Sequence, residues 1–201
     1  MKDMVRLAKI AERCQRNFDF SKPVPNKSVK YILNVATSMP TKQQQEFYNI
    51  TVIEEERLAR EFYTTCTIPD ECYYEGDEWR NSQTYAPLVL LYATSDKYER
   101  YEPKNDIYMS MGISASAASL AAVNLGYKTG FCKCIDSELA EQFVQKHFYK
   151  RVNNPTLALG IGHPLEGYDR SDGVVDGKVV YRAGSDGDKN ISIFRRPHRS
   201  L

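Results

Sequence analysis

The chain lacks any run of about 18 apolar residues, so its sequence offers no membrane-spanning helix. It also lacks an excess of charge of either sign. Its 27 Lys and Arg against 26 Asp and Glu leave +1 over 201 residues. That balance argues against a nucleic-acid binder, which relies on a strongly basic face. Histidine is scarce: only His147, His163 and His198, far apart, and with no Cys-x-x-Cys pair no metal site is expected. The five cysteines (Cys14, Cys66, Cys72, Cys132 and Cys134) are odd in number. They read as reduced thiols of a cytoplasmic protein rather than a disulfide framework. The N-terminus carries Lys2, Asp3 and Arg6 without an apolar stretch, which is unlike a secretory signal. There is no G-x-G-x-x-G, no G-x-S-x-G and no Ser/His/Asp order, so neither a dinucleotide fold nor a triad hydrolase is indicated. No side chain stands out as a catalytic acid, base or nucleophile.

What is present is the patterning of one α+β domain over residues 1–201. Apolar residues at helical spacing predict helices over 3–15 (Met4, Leu7, Ala8, Ala11) and 26–37 (Val29, Ile32, Leu33, Ala36, capped by Asn26 and ended by Pro40). Further helices are expected over 55–65 (Leu58, Phe62), 106–125 and 137–148 (Leu139, Phe143 and Val144 inward, capped by Asp136 or Ser137). Strands are expected at 48–54, 88–93, 128–134, 156–162 and 191–194. The unbroken Leu88-Val89-Leu90-Leu91-Tyr92-Ala93 suits a strand covered on both faces. Asp176-Gly177 predicts a tight hairpin turn. The helix at 106–125 is rich in Ala and Ser, which permits close approach by a neighbour, and Gly126 falls where a helix C-terminal glycine belongs. Residues 66–85, rich in Asp, Glu, Tyr and Gly without a period, predict a mobile surface segment that can act as a lid. Residues 165–201 read as a C-terminal extension.

Arg13, Cys14 and Arg16 follow a helix end and precede Phe18. Guanidiniums three residues apart can converge on a phosphate through bidentate, charge-assisted hydrogen bonds. The alternative is a solvated surface pair. From the residues alone, Lys133 reads as a solvent-facing strand lysine and Arg195-Arg196-Pro197 as part of a basic tail.

Five segments in one order tip these readings: Arg13-Cys14-Gln15-Arg16-Asn17-Phe18, Met39-Pro40-Thr41, Ala86-Pro87, Leu120-Ala121-Ala122 running into Leu125-Gly126, and Leu157-Ala158-Leu159-Gly160-Ile161-Gly162-His163-Pro164. Together they resemble the nitroreductase family of FMN-dependent oxidoreductases over nearly the whole chain. The resemblance implies an α/β sandwich in which helices flank a central mixed sheet, built as an intertwined homodimer with FMN between subunits. It implies that Arg13, Cys14 and Arg16 hold the FMN phosphate and the pyrimidine side, and that Arg195 or Arg196 returns to the phosphate. Pro40, Thr41 and Gln44 would bind the flavin. The strand Phe131-Cys132-Lys133 would lay backbone amides beside the ring's N5 edge, where a donor stabilises the reduced form. Tyr73, Tyr74 and Trp79 of the lid would cover a flat acceptor. The implied activity is ping-pong reduction of a nitroaromatic or quinone by NAD(P)H, without nucleic-acid or membrane partners. Cys14, Glu12, Gln44, Glu46 and Phe47 depart from the family's usual residues. The alternative is a non-catalytic dimer that binds or stores flavin.

Overall fold

The computed structural model describes residues 4–68 and 82–169, together with the backbone of strands within 174–194. A four-stranded sheet carries the architecture. Its strands are β1 (Tyr48–Ile53), β2 (Leu88–Thr94), β3 (Lys128–Cys132) and β4 (Asn153–Gly162), in the order β1-β2-β4-β3. All three pairings are antiparallel, not the mixed sheet expected. The connections explain this. The chain leaves β1 at Ile53 and enters β2 beside it, since Ile53 lies opposite Val89. It leaves β2 at Thr94 and returns near it in β4, since Thr94 lies opposite Asn153. A connection that ends at the sheet edge where it began reverses the strand, whereas a parallel pair needs a crossing to the far edge.

Every residue of β2 is buried, as its unbroken apolar run requires. Alternation divides its side chains between two cores. Leu88, Leu90 and Tyr92 pack with Val29, Ile32 and Ala36 of α2 (Asn26–Thr37) and Ile107, Met111, Ala115 and Ala118 of α4 (Asn105–Asn124). Val89, Leu91 and Ala93 pack with Leu58 and Phe62 of α3 (Glu56–Cys66) and Phe143 and Val144 of α5 (Ser137–Phe148). The sheet is thus a middle layer between helices on both faces. Further on, β5 (Val174–Val175), β6 (Lys178–Ala183) and β7 (Lys189–Phe194) form an antiparallel sheet of their own. Val175 pairs with Lys178, which leaves positions 176 and 177, the expected turn, between them and outside the described residues.

Four details differ from the sequence reading. The first helix, α1, covers only Met4–Ala11, with Leu7 its one buried residue and Met4 60% exposed. It ends early because the following residues are drawn onto β3. Pro25, not Asn26, caps α2, because Asn26 is already helical and no side-chain cap forms. Leu139, 37% exposed, faces outward in the first turn of α5, while Asp136 caps that helix by accepting from the Leu139 amide at 3.0 Å. The segment 66–85 is not a surface excursion at its ends, where Cys66, Thr67, Gln83 and Thr84 are buried.

The long helix α4 is close to its expected span and ends at Gly126, whose φ of +99° suits glycine. Its small residues do bring neighbours close. Ser114 Oγ donates to the Tyr92 hydroxyl at 3.4 Å, and the Ser119 and Thr129 hydroxyls meet at 2.6 Å. The opposite flank presents Met109 and Ile113, 61% and 45% exposed, in line with Ser116 and Leu120.

Candidate functional site

Four of the five sequence segments come together at the β3–β4 side of the sheet, and glycine makes this possible. Gly130 of β3 and Gly160 of β4 sit opposite each other. A Cβ on Gly130 would overlap the Gln15 carbonyl oxygen and lie 2.8 Å from Gln83 Cγ, while one on Gly160 would overlap the Gln83 carbonyl oxygen. The bare strand backbones therefore admit two chain segments, the loop 12–17 and the turn Ser82–Thr84. Gly162 repeats the device, because its Cβ would lie 2.8 Å from Pro87 Cδ and 3.1 Å from Phe18 Cδ1. The loop is then sewn in place. The Gln15 amide donates to the Thr129 carbonyl at 2.7 Å, the Asp19 amide to the His163 carbonyl at 2.9 Å, and the Leu165 amide to the Asn17 carbonyl at 2.8 Å. Gln15 is buried, and its side-chain amide donates to the Arg16 carbonyl and, at 2.8 Å, to that of Tyr168.

This lays Arg13, Cys14 and Arg16 along the outer edge of β3. Cys14 Sγ approaches the Phe131 carbonyl at 4.0 Å, and the Nε atoms of Arg13 and Arg16 are buried. Burial pushes the Cys132 thiol up to about 12, with the nearby Arg16 guanidinium pulling the other way. Cys66 is likewise pushed up to about 12 by burial, so both thiols are packing groups at neutral pH. Because Thr129 uses its carbonyl outward toward Gln15, strand alternation turns the backbone amides of Phe131 and then Lys133 toward the same outer edge. Side chains divide differently: Phe131 packs in the α2–α4 core, Cys132 is buried, and Lys133 is exposed.

Gln83 is the residue that sequence reasoning missed. It is 7% exposed, and its Oε1 is buried with no hydrogen-bond partner among the described residues. Its only signal was its place three residues before Ala86-Pro87. The segment that contains it is tied at its start to the strand tip beyond β3 and at its end to its own start. The Ile68 amide donates to the Cys134 carbonyl at 3.0 Å, the Asp136 amide to the Cys66 carbonyl at 2.8 Å, and the buried Thr67 and Thr84 hydroxyls meet at 2.9 Å. Tyr73, Tyr74 and Trp79 between these ends, and Arg195 and Arg196, lie outside the described residues.

The segment with Pro40, Thr41 and Gln44 is elsewhere. Lys42 Nζ pairs with Asp106 Oδ2 at 2.7 Å in the first turn of α4, and the Tyr101 hydroxyl donates to the same oxygen at 2.9 Å. These bonds hold the Asp106 carboxyl below its usual range and raise the Lys42 ammonium. Thr41 Oγ1 donates to the Gln45 carbonyl at 2.8 Å, closing its own turn. Gln43 and Gln44 both have positive φ, +55° and +58°, a conformation that ordinary side chains adopt at a cost. Glu46 pairs with Lys97 at 3.1 Å, and Phe47 is fully buried. From Asp106 to Ser119, which marks the β3 cluster through Thr129, is about 20 Å of helix axis. One chain therefore does not bring Thr41 and Gln44 to Arg13 and Arg16.

No protein-family model and no curated protein matches this chain. Solved structures do. A nitroreductase from Bacteroides fragilis with bound FMN has a TM-score of 0.64 at 16% identity, over 83% of this chain and 91% of that one. A Staphylococcus epidermidis protein provisionally named an NAD(P)H:FMN oxidoreductase has 0.63 at 15% identity, over 83% and 89%. An enone reductase of gut-bacterial fatty acid saturation has 0.61 at 13% identity, over 84% and 91%. At such identities the likeness is one of fold, and the fold is that of the nitroreductases.

Proposed function

We propose that this chain, folded as the nitroreductases are, is an FMN-dependent oxidoreductase that uses NAD(P)H to reduce a conjugated acceptor such as a nitroaromatic or a quinone. The observation that carries the reading is the convergence of the Arg13–Arg16 loop, the outer edge of β3 and the unsatisfied Gln83 oxygen. The donor set fits the cofactor. Two guanidiniums match a phosphate. A buried acceptor left unmade costs about 1–3 kcal/mol, so Gln83 suits a site whose ligand brings an N–H or O–H. The outward amides of Phe131 and Lys133 suit a ring edge that gains negative charge on reduction.

FMN, when bound, would supply the hydride chemistry, and the protein would hold and orient it. Arg13 and Arg16, with Cys14 between them, would bind the phosphate side, joined by Arg195 or Arg196. Gly130 admits the loop against β3, and Gly160 admits the Gln83 turn against β4. Tyr73, Tyr74 and Trp79 would cover the acceptor, from a segment whose start is pinned beside Cys134.

The reading includes a homodimer. An apolar helix flank with no cover among the described residues calls for one, and Met109, Ile113, Ser116 and Leu120 of α4 form such a stripe. Pairing there would let the Pro40, Thr41 and Gln44 segment of a second copy reach the β3 edge of the first. A second reading, a dimer that stores or senses flavin without turning it over, is favoured by one observation: the Thr41 hydroxyl is already committed to Gln45. Anaerobic addition of NAD(P)H to FMN-loaded protein separates the two. Bleaching of the flavin absorbance is the expected result, and a bound but unreduced flavin would support storage.

A further inference from the structure

A cleft of about 420 Å³ opens between α4 and the strand tips beyond β3, lined by Tyr108, Met111, Gly112, Lys133, Ile135 and Leu157. That volume is in the range of small-molecule sites. The polar side chains around it are mostly spoken for. The Tyr108 hydroxyl accepts from Asn154 Nδ2 at 3.2 Å, Ser137 Oγ donates to the Pro155 carbonyl at 2.7 Å, and Thr156 Oγ1 lies 3.8 Å from Met111 Sδ. Lys133 is the exception. It is exposed, and the structure gives it no ion pair among the described residues. An apolar cleft with one uncommitted cation at its wall is complementary to an amphipathic anion.

Gly112 adds an independent observation. It sits inside a 20-residue helix, where glycine is unfavourable, and a Cβ there would meet nothing within 4 Å. Among the described residues nothing requires the glycine for packing, and a side chain at this position would enter the cleft.

We infer that this cleft binds an organic carboxylate whose apolar aryl or acyl body lies against Met111, Gly112, Ile135 and Leu157 and whose anionic group meets Lys133. Calling that anion the electron acceptor rests on the function proposed above and narrows the acceptor to organic acids. Its binding does not require flavin.

The test is calorimetric titration of the full chain, without and with FMN, using cinnamate and octanoate and their methyl esters. The acids should bind at least about tenfold more tightly than the esters, since a desolvated charge-assisted contact is worth about that factor. Lys133→Gln should remove the preference without weakening the esters, Lys133→Arg should keep it, and Gly112→Leu should weaken acids and esters alike. Equal affinity for acid and ester, no binding of either, or acid binding unchanged in Lys133→Gln would overturn the inference. So would a Gly112→Leu variant whose only change is its oligomeric mass, because the cleft would then belong to a second copy. FMN affinity measured beside these titrations keeps the two readings apart: acid preference without FMN binding would sink the flavin reading alone.

Discussion

The same substitution at two glycines should have opposite signs. Gly130→Ala places a methyl group onto the Gln15 carbonyl oxygen and 2.8 Å from Gln83 Cγ. Neither neighbour can easily withdraw. Gln15 is held by the hydrogen bond of its backbone amide to Thr129 and by that of its side chain to Tyr168, and Gln83 sits in a turn pressed against β3 and β4. Overpacking of this kind costs about 1–3 kcal/mol, and loss of the Gln15–Thr129 hydrogen bond adds about 0.5–1.5. Gly112→Ala meets no neighbour and replaces a mid-helix glycine, so it should stabilise by about 0.5–1 kcal/mol. Urea denaturation measures both. A total loss of about 1.5–4.5 kcal/mol corresponds to a melting shift of about 3–18 °C for a chain of this size. Because the displaced segment carries Arg13 and Arg16, Gly130→Ala should also weaken FMN binding, while Gly112→Ala should not. A Gly130→Ala variant as stable as the parent, with FMN affinity intact, would refute the claim that these bare backbones position the loop.

Arg16→Ala should lower FMN affinity roughly 10- to 150-fold, the equivalent of about 1.5–3 kcal/mol, read by flavin fluorescence titration. If the chain forms the proposed dimer, Ile113→Glu should halve its mass by light scattering, and should weaken FMN binding along with it if a second copy completes the site. The carboxyl of Asp106 is held below its usual range by Lys42 and Tyr101, so its contribution to stability should be present above about pH 4 and lost as the pH falls through the lowered value. Asp106→Asn should therefore flatten the acid limb of a stability–pH curve and leave the neutral region's slope unchanged.

Much of the fold was legible because periodicity reports burial. The residues predicted to line α2 do face the core, and the apolar run of β2 is buried on both sides. Where local chemistry competes, the pattern misled. Asn26 could have capped α2, but the extended conformation of Pro25 places the boundary one residue earlier. Leu139 matched the inward spacing yet faces out in the first turn of its helix. Strand direction was not legible at all, because it depends on which edge each connection returns to. At the site, the Arg13–Phe18 motif was readable, whereas its seat depends on Gly130, Gly160 and Gln83, which touch it only through tertiary packing. Sequence order also grouped Thr41 and Gln44 with the arginines, while the length of α4 keeps them apart within one chain.

The central claim is tested most directly by the visible spectrum of the purified chain titrated with FMN under anaerobic conditions and then exposed to NAD(P)H. The account predicts saturable binding of one FMN per chain, bleaching of the bound flavin on addition of the nicotinamide, and return of its colour when a quinone or nitroaromatic is supplied. A chain that takes up no FMN, with Arg13, Arg16 and Gln83 all intact, would contradict it.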